Sequence, residues 1–439
     1  MKLKKWLALG LSLALAGSVF SLVACDGDGP DTPGPGGDTP GTTLDDDSDR
    51  ATPGLKFTEV LEGGSLVGYS VGVGTAYDQP TLYIPQVWEG KPVVSVGVEP
   101  ETFARMLQQS GFDTMPDDQK KDFMRQYAIA YSSVSEIHLP ETLKYFGYCA
   151  FLECIALEEI EIPKGIKSIY DCTFMYDIAL ENVTFASNDN LRYIGAWAFY
   201  DCTQLKSMTL PDSVEEIDIQ AFAMSGNLTA YGSGLESIDL GEGVTTLGYQ
   251  AFYRSGLKSI VIPDSVELIG LDDDELALTF AECPLLEEVT IGSGMKIIPK
   301  QMFYSCVNLK KVTFTETKII EYQAFFGCVE LVDIDFGESL EEIGSGAFWA
   351  CQKLAKVVLP DSIQIVGSAA FQACSALDEL WLGKSIWSIE KDAFTKGMGT
   401  LPSKIYYTGT RPQYNSVEGE GKPNGAQVIC SDEAGYVAP

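Results

Sequence analysis

Cysteine is the potentially reactive residue with the most regular spacing in this sequence. Seven of the eleven cysteines lie three residues after a phenylalanine: Cys154, Cys202, Cys283, Cys306, Cys328, Cys351 and Cys374. The equivalent position after four other phenylalanines carries Asp177, Ser225, Ser255 or Gly397. Side chains at equivalent positions of stacked repeats run parallel, which is poor disulfide geometry. We therefore interpret these cysteines as buried, unpaired thiols, and no paired C-x-x-C motif indicates zinc.

Other signals for catalysis are weak. His138 is the single histidine, and it lies between Ile137 and Leu139 on the outward side of a predicted strand. The chain has 62 acidic residues, so pairs of carboxylates are too frequent to indicate a site, although a glycosidase-like acid pair stays open as an alternative. The run LDDDEL at 271–276 lacks the alternation and glycine of a calcium loop. We predict no catalytic residues, no metal and no cofactor.

A phenylalanine recurs through most of the chain at intervals of 22 to 30 residues, most often 23. These marker phenylalanines are Phe151, Phe174, Phe199, Phe222, Phe252, Phe280, Phe303, Phe325, Phe348, Phe371 and Phe394. A fixed period of this length predicts a solenoid of stacked coils rather than separate domains.

Each repeat also contains a strand pattern. Residues 157–163, LEEIEIP, alternate apolar and polar residues, which predicts a short strand with one buried face, and proline ends it. The following IKSIY at 166–170 is a second short extended piece. The segment around the phenylalanine and the cysteine then turns the corner of the coil.

The repeated Ala-Phe, Cys, Leu-x-x-Ile-x-Leu-Pro and Ile-Gly positions resemble the bacterial surface-protein (BspA-like) leucine-rich repeats, in a lipoprotein form. The resemblance extends from Thr81 to Tyr414. It implies an α/β repeat class that is predominantly β: a right-handed leucine-rich-repeat solenoid with short parallel strands, one per ~23-residue repeat. Members of the family are secreted or surface-attached and bind other molecules. They have no common catalytic residues to transfer to this chain.

The N-terminus carries targeting signals. A basic start precedes the apolar residues 7–22, and Leu22-Val23-Ala24-Cys25 resembles the lipobox of bacterial lipoproteins, in which the cysteine is acylated. We predict lipidation at Cys25 and a place in the cell envelope, on the bacterial cell surface at the outer membrane. The formal net charge of −32 makes nucleic acid an unlikely partner, because an acidic surface repels phosphate backbones.

These patterns predict six segments. They are a lipoprotein signal peptide at 1–24, a disordered Pro/Gly/Asp tether at 25–55, an N-terminal cap and first repeat at 56–103, a helical insertion at 104–134, the leucine-rich-repeat solenoid at 135–399 and a C-terminal cap at 400–439. The insertion is interpreted as a helix docked on the solenoid, with a mobile binding arm as the alternative.

The outward positions of the predicted strands form columns along the stack. One column ends in Val358, Trp381 and Tyr406, which are candidate ligand-binding residues, unless the C-terminal cap covers them. A neighbouring column alternates in charge: Glu288, Lys311, Asp333, Lys356, Glu379 and Lys404. A stripe after the marker phenylalanines is aromatic, and is either a sugar-binding ladder or a structural stack: Tyr200, Tyr253, Tyr304, Phe326 and Trp349.

The sequence therefore predicts a lipid-anchored surface protein that binds an extracellular protein or glycan through its strand face, for recognition or adhesion. The alternatives are a carbohydrate-active enzyme that uses carboxylates and a purely structural surface protein.

Overall fold

The computed structural model describes residues 44–187, 189–224, 234–272, 275–396, 399–423, 427–436 and 438. Cys25, the predicted signal peptide and the tether up to residue 43 lie outside the described residues. The chain forms two compact units, one comprising Met1–Phe199 with Asp272–Asp274 and the other comprising Tyr200–Leu271 with Glu275–Pro439. Among the described residues, no helix has the length and apolar character needed to cross a membrane.

The N-terminal unit begins with an antiparallel hairpin, followed by parallel coils. Its strands are β1 (Lys56–Glu62), β2 (Ser65–Gly72), β3 (Thr81–Tyr83), β4 (Val87–Trp88), β5 (Lys91–Val96), β6 (Glu136–His138), β7 (Tyr145–Phe146), β8 (Glu159–Ile162), β9 (Ser168–Ile169), β10 (Asn182–Phe185) and β11 (Tyr193–Ile194). Strand β2 pairs with β1 on one side and, in parallel, with β5 on the other, so the hairpin caps the first coil.

The end of the predicted tether lies against this unit. Residues Ser48–Arg50 form a 3-10 helix. The carboxylate of Asp47 accepts hydrogen bonds from the Tyr83 hydroxyl at 3.0 Å and the Gln86 backbone N–H at 2.9 Å. The Thr52 hydroxyl accepts the Tyr83 backbone N–H at 2.7 Å. Residues 44–55 were predicted as disordered tether, but the polar side chains that suggested disorder provide acceptors that hold this part of it in place.

The insertion contains two helices, α1 (Pro100–Ser110) and α2 (Asp117–Arg125), with a 3-10 turn at Phe112–Thr114 between them. The second helix begins directly after Pro116, and its two N-terminal aspartates suit the positive end of the helix dipole. The backbone N–H groups of Val73 and Gly74 donate to the carbonyls of Ala128 and Arg125, at 2.9 and 2.7 Å. These hydrogen bonds join the end of α2 and the residues after it to the residues that follow β2.

The C-terminal unit consists of coils with two short strands each and ends in a small cap. Its strands are β12 (Ser207–Thr209), β13 (Glu216–Ile217), β14 (Ser237–Asp239), β15 (Thr246–Leu247), β16 (Ser259–Ile262), β17 (Leu268–Ile269), β18 (Glu288–Ile291), β19 (Ile297–Ile298), β20 (Lys311–Phe314), β21 (Ile319–Ile320), β22 (Asp333–Asp335), β23 (Glu342–Ile343), β24 (Lys356–Val358), β25 (Ile365–Val366), β26 (Glu379–Leu382), β27 (Ser388–Ile389), β28 (Lys404–Tyr407) and β29 (Val428–Cys430). The cap adds helix α3 (Arg411–Asn415).

In each coil the strand of three or four residues is called here the front strand, and the two-residue strand the back strand. Both kinds pair in parallel with their counterparts in neighbouring coils, for example β18–β20–β22 on the front and β21–β23–β25 on the back. The surface formed by the front strands is the front face. The solenoid predicted from the period and the predominantly β leucine-rich-repeat class implied by the resemblance are therefore confirmed. The back strands occupy the second extended piece of each repeat.

The marker phenylalanines form the centre of both units. In the C-terminal unit the eight rings from Phe222 to Phe394 are stacked with centroid separations of 5.0 to 5.6 Å and interplanar angles of at most 12°. Their exposure is 1% or less. In the N-terminal unit Phe174 lies between Phe151 and Phe199 in the same way, at 5.1 and 5.0 Å. The repeat period thus places one ring per coil in the dry core of each unit.

The cysteines of the repeat lie beside this stack. All ten cysteines in the described part of the chain are buried and none forms a disulfide, as predicted. The thiols of Cys283 and Cys306 donate to the carbonyls of Phe252 and Phe280, the marker phenylalanines one coil earlier, at 3.1 and 3.0 Å. Burial raises the pKa of the Cys328 thiol to about 12, so this group keeps its proton at neutral pH. The repeated cysteine is an architectural residue that satisfies a carbonyl at each corner.

Candidate binding surface

The candidate residues Val358, Trp381 and Tyr406 lie side by side in one row of the front face. Val358 is the register partner of Trp381, and Trp381 is the register partner of Tyr406. Ile429 in β29 extends the row by one strand. The alternation of the strands sends these side chains away from the phenylalanine core, because successive residues of a strand point to opposite faces.

Trp381 is the most enclosed member of the row, with 6% of its surface exposed. Its ring stacks on Tyr406 with centroids 4.7 Å apart and an interplanar angle of 22°. The ammonium of Lys356 lies over the same ring, 4.4 Å from its centroid. Tyr436, near the end of the chain, meets Tyr406 edge-on at 6.5 Å. C-terminal residues therefore cover part of this row, whereas Val358 and Tyr406 stay partly exposed.

A groove of about 540 Å³ opens beside this row. Its lining residues come from two neighbouring coils and from the C-terminal cap: Ile334, Asp335, Phe336, Gly337, Glu338, Val358, Leu359, Pro360, Asp361, Thr408 and Tyr436. Of the three predicted residues, Val358 lines the groove directly and Tyr406 supports its Tyr436 wall.

The groove carries three carboxylates with different partners. The Asp361 carboxylate lies 2.8 Å from the Lys384 ammonium and accepts the Thr408 hydroxyl at 2.5 Å. The hydrogen bond from Lys384, followed by that from Thr408, holds the pKa of Asp361 below its usual range. The Asp335 carboxylate accepts the backbone N–H of Gly337 at 3.0 Å. Glu338 is exposed, and it has no hydrogen bond or ion pair with any residue that the structure describes.

The alternating charges predicted for the neighbouring column are direct register partners. Glu288 pairs with Lys311 and Lys311 with Asp333 in one set of strands, and Glu379 lies between Lys356 and Lys404 in another. The Lys404 ammonium lies 2.8 Å from the Glu379 carboxylate. Exposed pairs of this kind contribute less than about 1 kcal/mol each. Their main effect is to favour one strand register over a shifted one.

The aromatic stripe after the marker phenylalanines is partly stacked on itself. The rings of Tyr304 and Phe326 are parallel within 6° and their centroids are 4.9 Å apart. Trp349 meets Phe326 edge-on at 5.2 Å and is 37% exposed. Because Tyr304 and Phe326 cover each other's faces, this geometry favours the structural stack over a sugar-binding ladder.

The remaining candidates for chemistry do not converge. His138 Nε2 lies 3.4 Å from a Glu136 carboxylate oxygen on the front face, and both side chains are more than half exposed. In the part of the chain that the structure describes, no three histidine, cysteine or acidic side chains gather into a metal site. Two residues of the acidic run at 271–276 lie outside that part.

Comparison with protein families identifies the repeat. A profile described as "BspA type Leucine rich repeat region" matches the chain in six copies, at residues 122–233, 226–317 and 276–398. These ranges cover more than half of the chain. The protein belongs to this family.

Three solved structures are similar to this chain at low sequence identity. A leucine-rich repeat protein from Bacteroides ovatus is 22% identical, with a TM-score of 0.43 over 87% of this chain and 99% of its own. A leucine rich cell surface protein from Faecalibacterium prausnitzii is 21% identical, with a TM-score of 0.39 over 87% and 98%. The pneumococcal vaccine antigen PcpA is 17% identical, with a TM-score of 0.38 over 87% and 98%. No curated protein matches the chain.

Sequence reasoning missed two parts of this BspA-type surface. The groove depends on Tyr436, whose place against Tyr406 has no signal in the repeat pattern because it lies beyond the last repeat. The three acidic residues of the groove could not be distinguished in the sequence from the rest of the 62 aspartates and glutamates. The one available signal was position: Asp335 and Asp361 each lie at the end of a front strand or within three residues of it.

Proposed function

We propose that this BspA-type repeat protein is a lipid-anchored binding or adhesion protein, which recognises an extracellular protein or glycan at the C-terminal end of its front face. The observation that supports this is the groove beside Val358. There, partly exposed aromatic and apolar side chains lie next to carboxylates without an ion pair among the described residues, on a surface formed by paired strands. Interfaces concentrate their energy in such aromatic anchors with a polar surround.

Two substitutions in the groove and one outside it test the binding surface. Val358→Ser and Tyr436→Ala should weaken capture of the partner on glycan arrays or in pull-downs from the native extracellular environment. Trp387→Ala is the matched control, because Trp387 is 52% exposed and immediately precedes the back strand β27. Equal binding by all three variants would contradict the proposed surface.

The same samples separate the alternatives. Hydrolysis of a glycan by the wild-type chain would favour a carbohydrate-active enzyme that uses the abundant carboxylates. Neither capture nor hydrolysis across the arrays would favour a purely structural surface protein. The partial covering of Trp381 by neighbouring residues suits that structural alternative, so the groove residues, rather than Trp381, are the informative positions.

Anchoring through Cys25 is the second part of the proposal, and it rests on the lipobox-like residues 22–25. Cys25→Ala should move the protein from the membrane fraction to the soluble fraction of the cell envelope. A double-acyl anchor is needed for stable attachment, since one chain alone binds only reversibly. An unchanged distribution of the Cys25→Ala variant would show that something else retains the protein.

A further inference from the structure

The charge of the groove restricts what it binds. Its three carboxylates are Asp335, Glu338 and Asp361, and only Asp361 has an ion pair among the residues that the structure describes. Asp335 is bonded to a neutral backbone N–H, and Glu338 has no partner there. The groove therefore presents two uncompensated negative charges. A neutral ligand would have to strip water from these charges without replacing that stabilisation.

The uncharged parts of the groove fit a planar cation. The Tyr436 ring forms one wall and is oriented by its edge-on contact with Tyr406. The inner lining includes Phe336 and Leu359, both buried. A guanidinium group stacks on aromatic faces and donates paired hydrogen bonds to carboxylates, and its weak hydration suits a partly apolar cleft.

From this combination we propose that the groove binds an arginine side chain of a partner protein, and this rests on the front face being the binding surface. The Thr408 hydroxyl is already donated to Asp361, so the Tyr436 hydroxyl is the remaining donor among the side chains that line the groove. Sugar hydroxyls can also donate to these carboxylates, but a sugar brings no positive charge to compensate them, so it is a poorer match. A bare metal ion fits less well, because the three groove carboxylates are not arranged closely enough to form a metal site.

The test uses two neutral-backbone probes of the same size. N-acetyl-arginine amide carries the guanidinium, and N-acetyl-citrulline amide replaces it with an uncharged urea. In titrations of the full mature chain followed by calorimetry or NMR, the arginine probe should bind with a Kd of about 1 mM, the scale of a single side-chain contact. The citrulline probe should bind at least about tenfold more weakly, because it cannot neutralise the carboxylates.

A double variant locates the site. Asp335→Asn with Glu338→Gln should weaken binding of the arginine probe at least about tenfold. The control, Glu159→Gln with Glu161→Gln, removes two charges from exposed positions of β8 and should leave the affinity unchanged. Melting curves for both double variants verify that they are folded.

Three outcomes would overturn the inference. The first is an equal loss of affinity in both double variants, which would indicate attraction by net charge alone. The second is equal binding of the arginine and citrulline probes. The third is no binding of the arginine probe up to about 20 mM, far above the expected Kd. If the probe fails while Val358→Ser still impairs partner capture, the arginine preference is wrong and the proposed binding surface stands.

Discussion

At the scale of single residues, Trp381 shows how an outward position can become part of the packing. Alternation along β26 correctly places its side chain on the front face, away from the phenylalanine core. Neighbours in the same and adjacent rows then enclose it: Tyr406 on the next strand and Lys356 on the previous one. The sequence alone does not predict how much of the Trp381 side chain is exposed, because its burial depends on side-chain rotamers and on residues of the C-terminal cap.

This enclosure predicts that Trp381→Ala will reduce stability. A buried tryptophan replaced by alanine costs about 3–5 kcal/mol through lost burial and a residual cavity. Urea unfolding should show that loss, together with earlier proteolysis near Tyr436. The control is Trp387→Ala, which should change stability by no more than about 0.5 kcal/mol, because its ring is half exposed. Similar small effects of both substitutions would mean that the ring contacts of Trp381 contribute little.

Asp177 is the second instructive residue, because it replaces cysteine at the corner after Phe174. Its carboxyl group is fully buried, and one oxygen accepts the backbone N–H of Cys154 at 2.7 Å. The other oxygen has no hydrogen-bond partner among the described residues. Burial raises the pKa of this carboxyl well above its usual range. The folded state therefore holds a proton that the unfolded state releases from about pH 4 upwards.

This linkage predicts the sign of a pH effect. The contribution of Asp177 to stability is greatest below the pKa of the unfolded carboxyl and falls as pH rises towards the higher pKa of the folded state. Asp177→Asn keeps an acceptor for Cys154 but removes the titration. The advantage of this variant in unfolding free energy should therefore grow between pH 4 and pH 8. The exposed Asp78 provides a control, Asp78→Asn, and a pH-independent advantage for Asp177→Asn would contradict the argument.

At the scale of elements, the strands follow from the sequence but the corners do not. Alternation of apolar residues predicts the front strands, and the period predicts their stacking. Each marker phenylalanine is flanked two residues before and after by a residue with positive φ in nearly every coil, such as Gln323 and Gly327 or Ala369 and Ala373. Few of these residues are glycine, so the usual left-handed signal is absent. The closed coil imposes the left-handed backbone conformation on residues other than glycine, and local sequence propensity does not predict it.

These corners allow a paired test at one structural position in adjacent coils. Ala350 has φ of 61° and Gly327 has φ of 74°. Ala350→Gly should stabilise the protein by about 1 kcal/mol by removing left-handed strain, and Gly327→Ala should destabilise it by a similar amount. A Cβ at Gly327 would meet Ser305 Oγ at 3.3 Å, so the serine side chain must also shift by a few tenths of an ångström, which adds to the backbone effect.

Ala355 is the control for the corner substitutions, because its φ is not positive. Ala355→Gly should lower stability by about 0.5–1 kcal/mol, the ordinary entropic cost of glycine. Denaturant unfolding of the three variants measures all these effects. The same sign for Ala350→Gly and Ala355→Gly would show that the corner carries no strain.

At the scale of the whole molecule, the repeat determines the architecture and leaves the specific surface undetermined. Eleven marker phenylalanines were enough to predict a solenoid, because every coil places the same residue in the core, and the family resemblance supplied the leucine-rich-repeat type. The groove combines residues 334–361 of the repeats with Thr408 and Tyr436 of the cap. Contacts between the repeats and the cap occur once in the chain, so the periodic sequence pattern cannot predict them. The hydrogen bonds of Asp47 to Tyr83 and Gln86 are non-periodic in the same way.

The stacked core predicts how damage spreads within the C-terminal unit. Phe303 lies 5.3 Å from Phe280 and 5.0 Å from Phe325, with the three rings nearly parallel. Phe303→Ala should cost about 3–5 kcal/mol by removing a ring from a close-packed stack. Since each coil touches only its neighbours, hydrogen exchange should accelerate first in the coils of Phe280 and Phe325. Exchange near Phe151, in the N-terminal unit, should stay at its wild-type rate. The control is Trp349→Ala, which removes an exposed ring next to Phe326 and should have little effect on exchange. Faster exchange that appears equally at Phe151 and Phe280 would mean that the coils unfold as one cooperative block, in conflict with nearest-neighbour coupling.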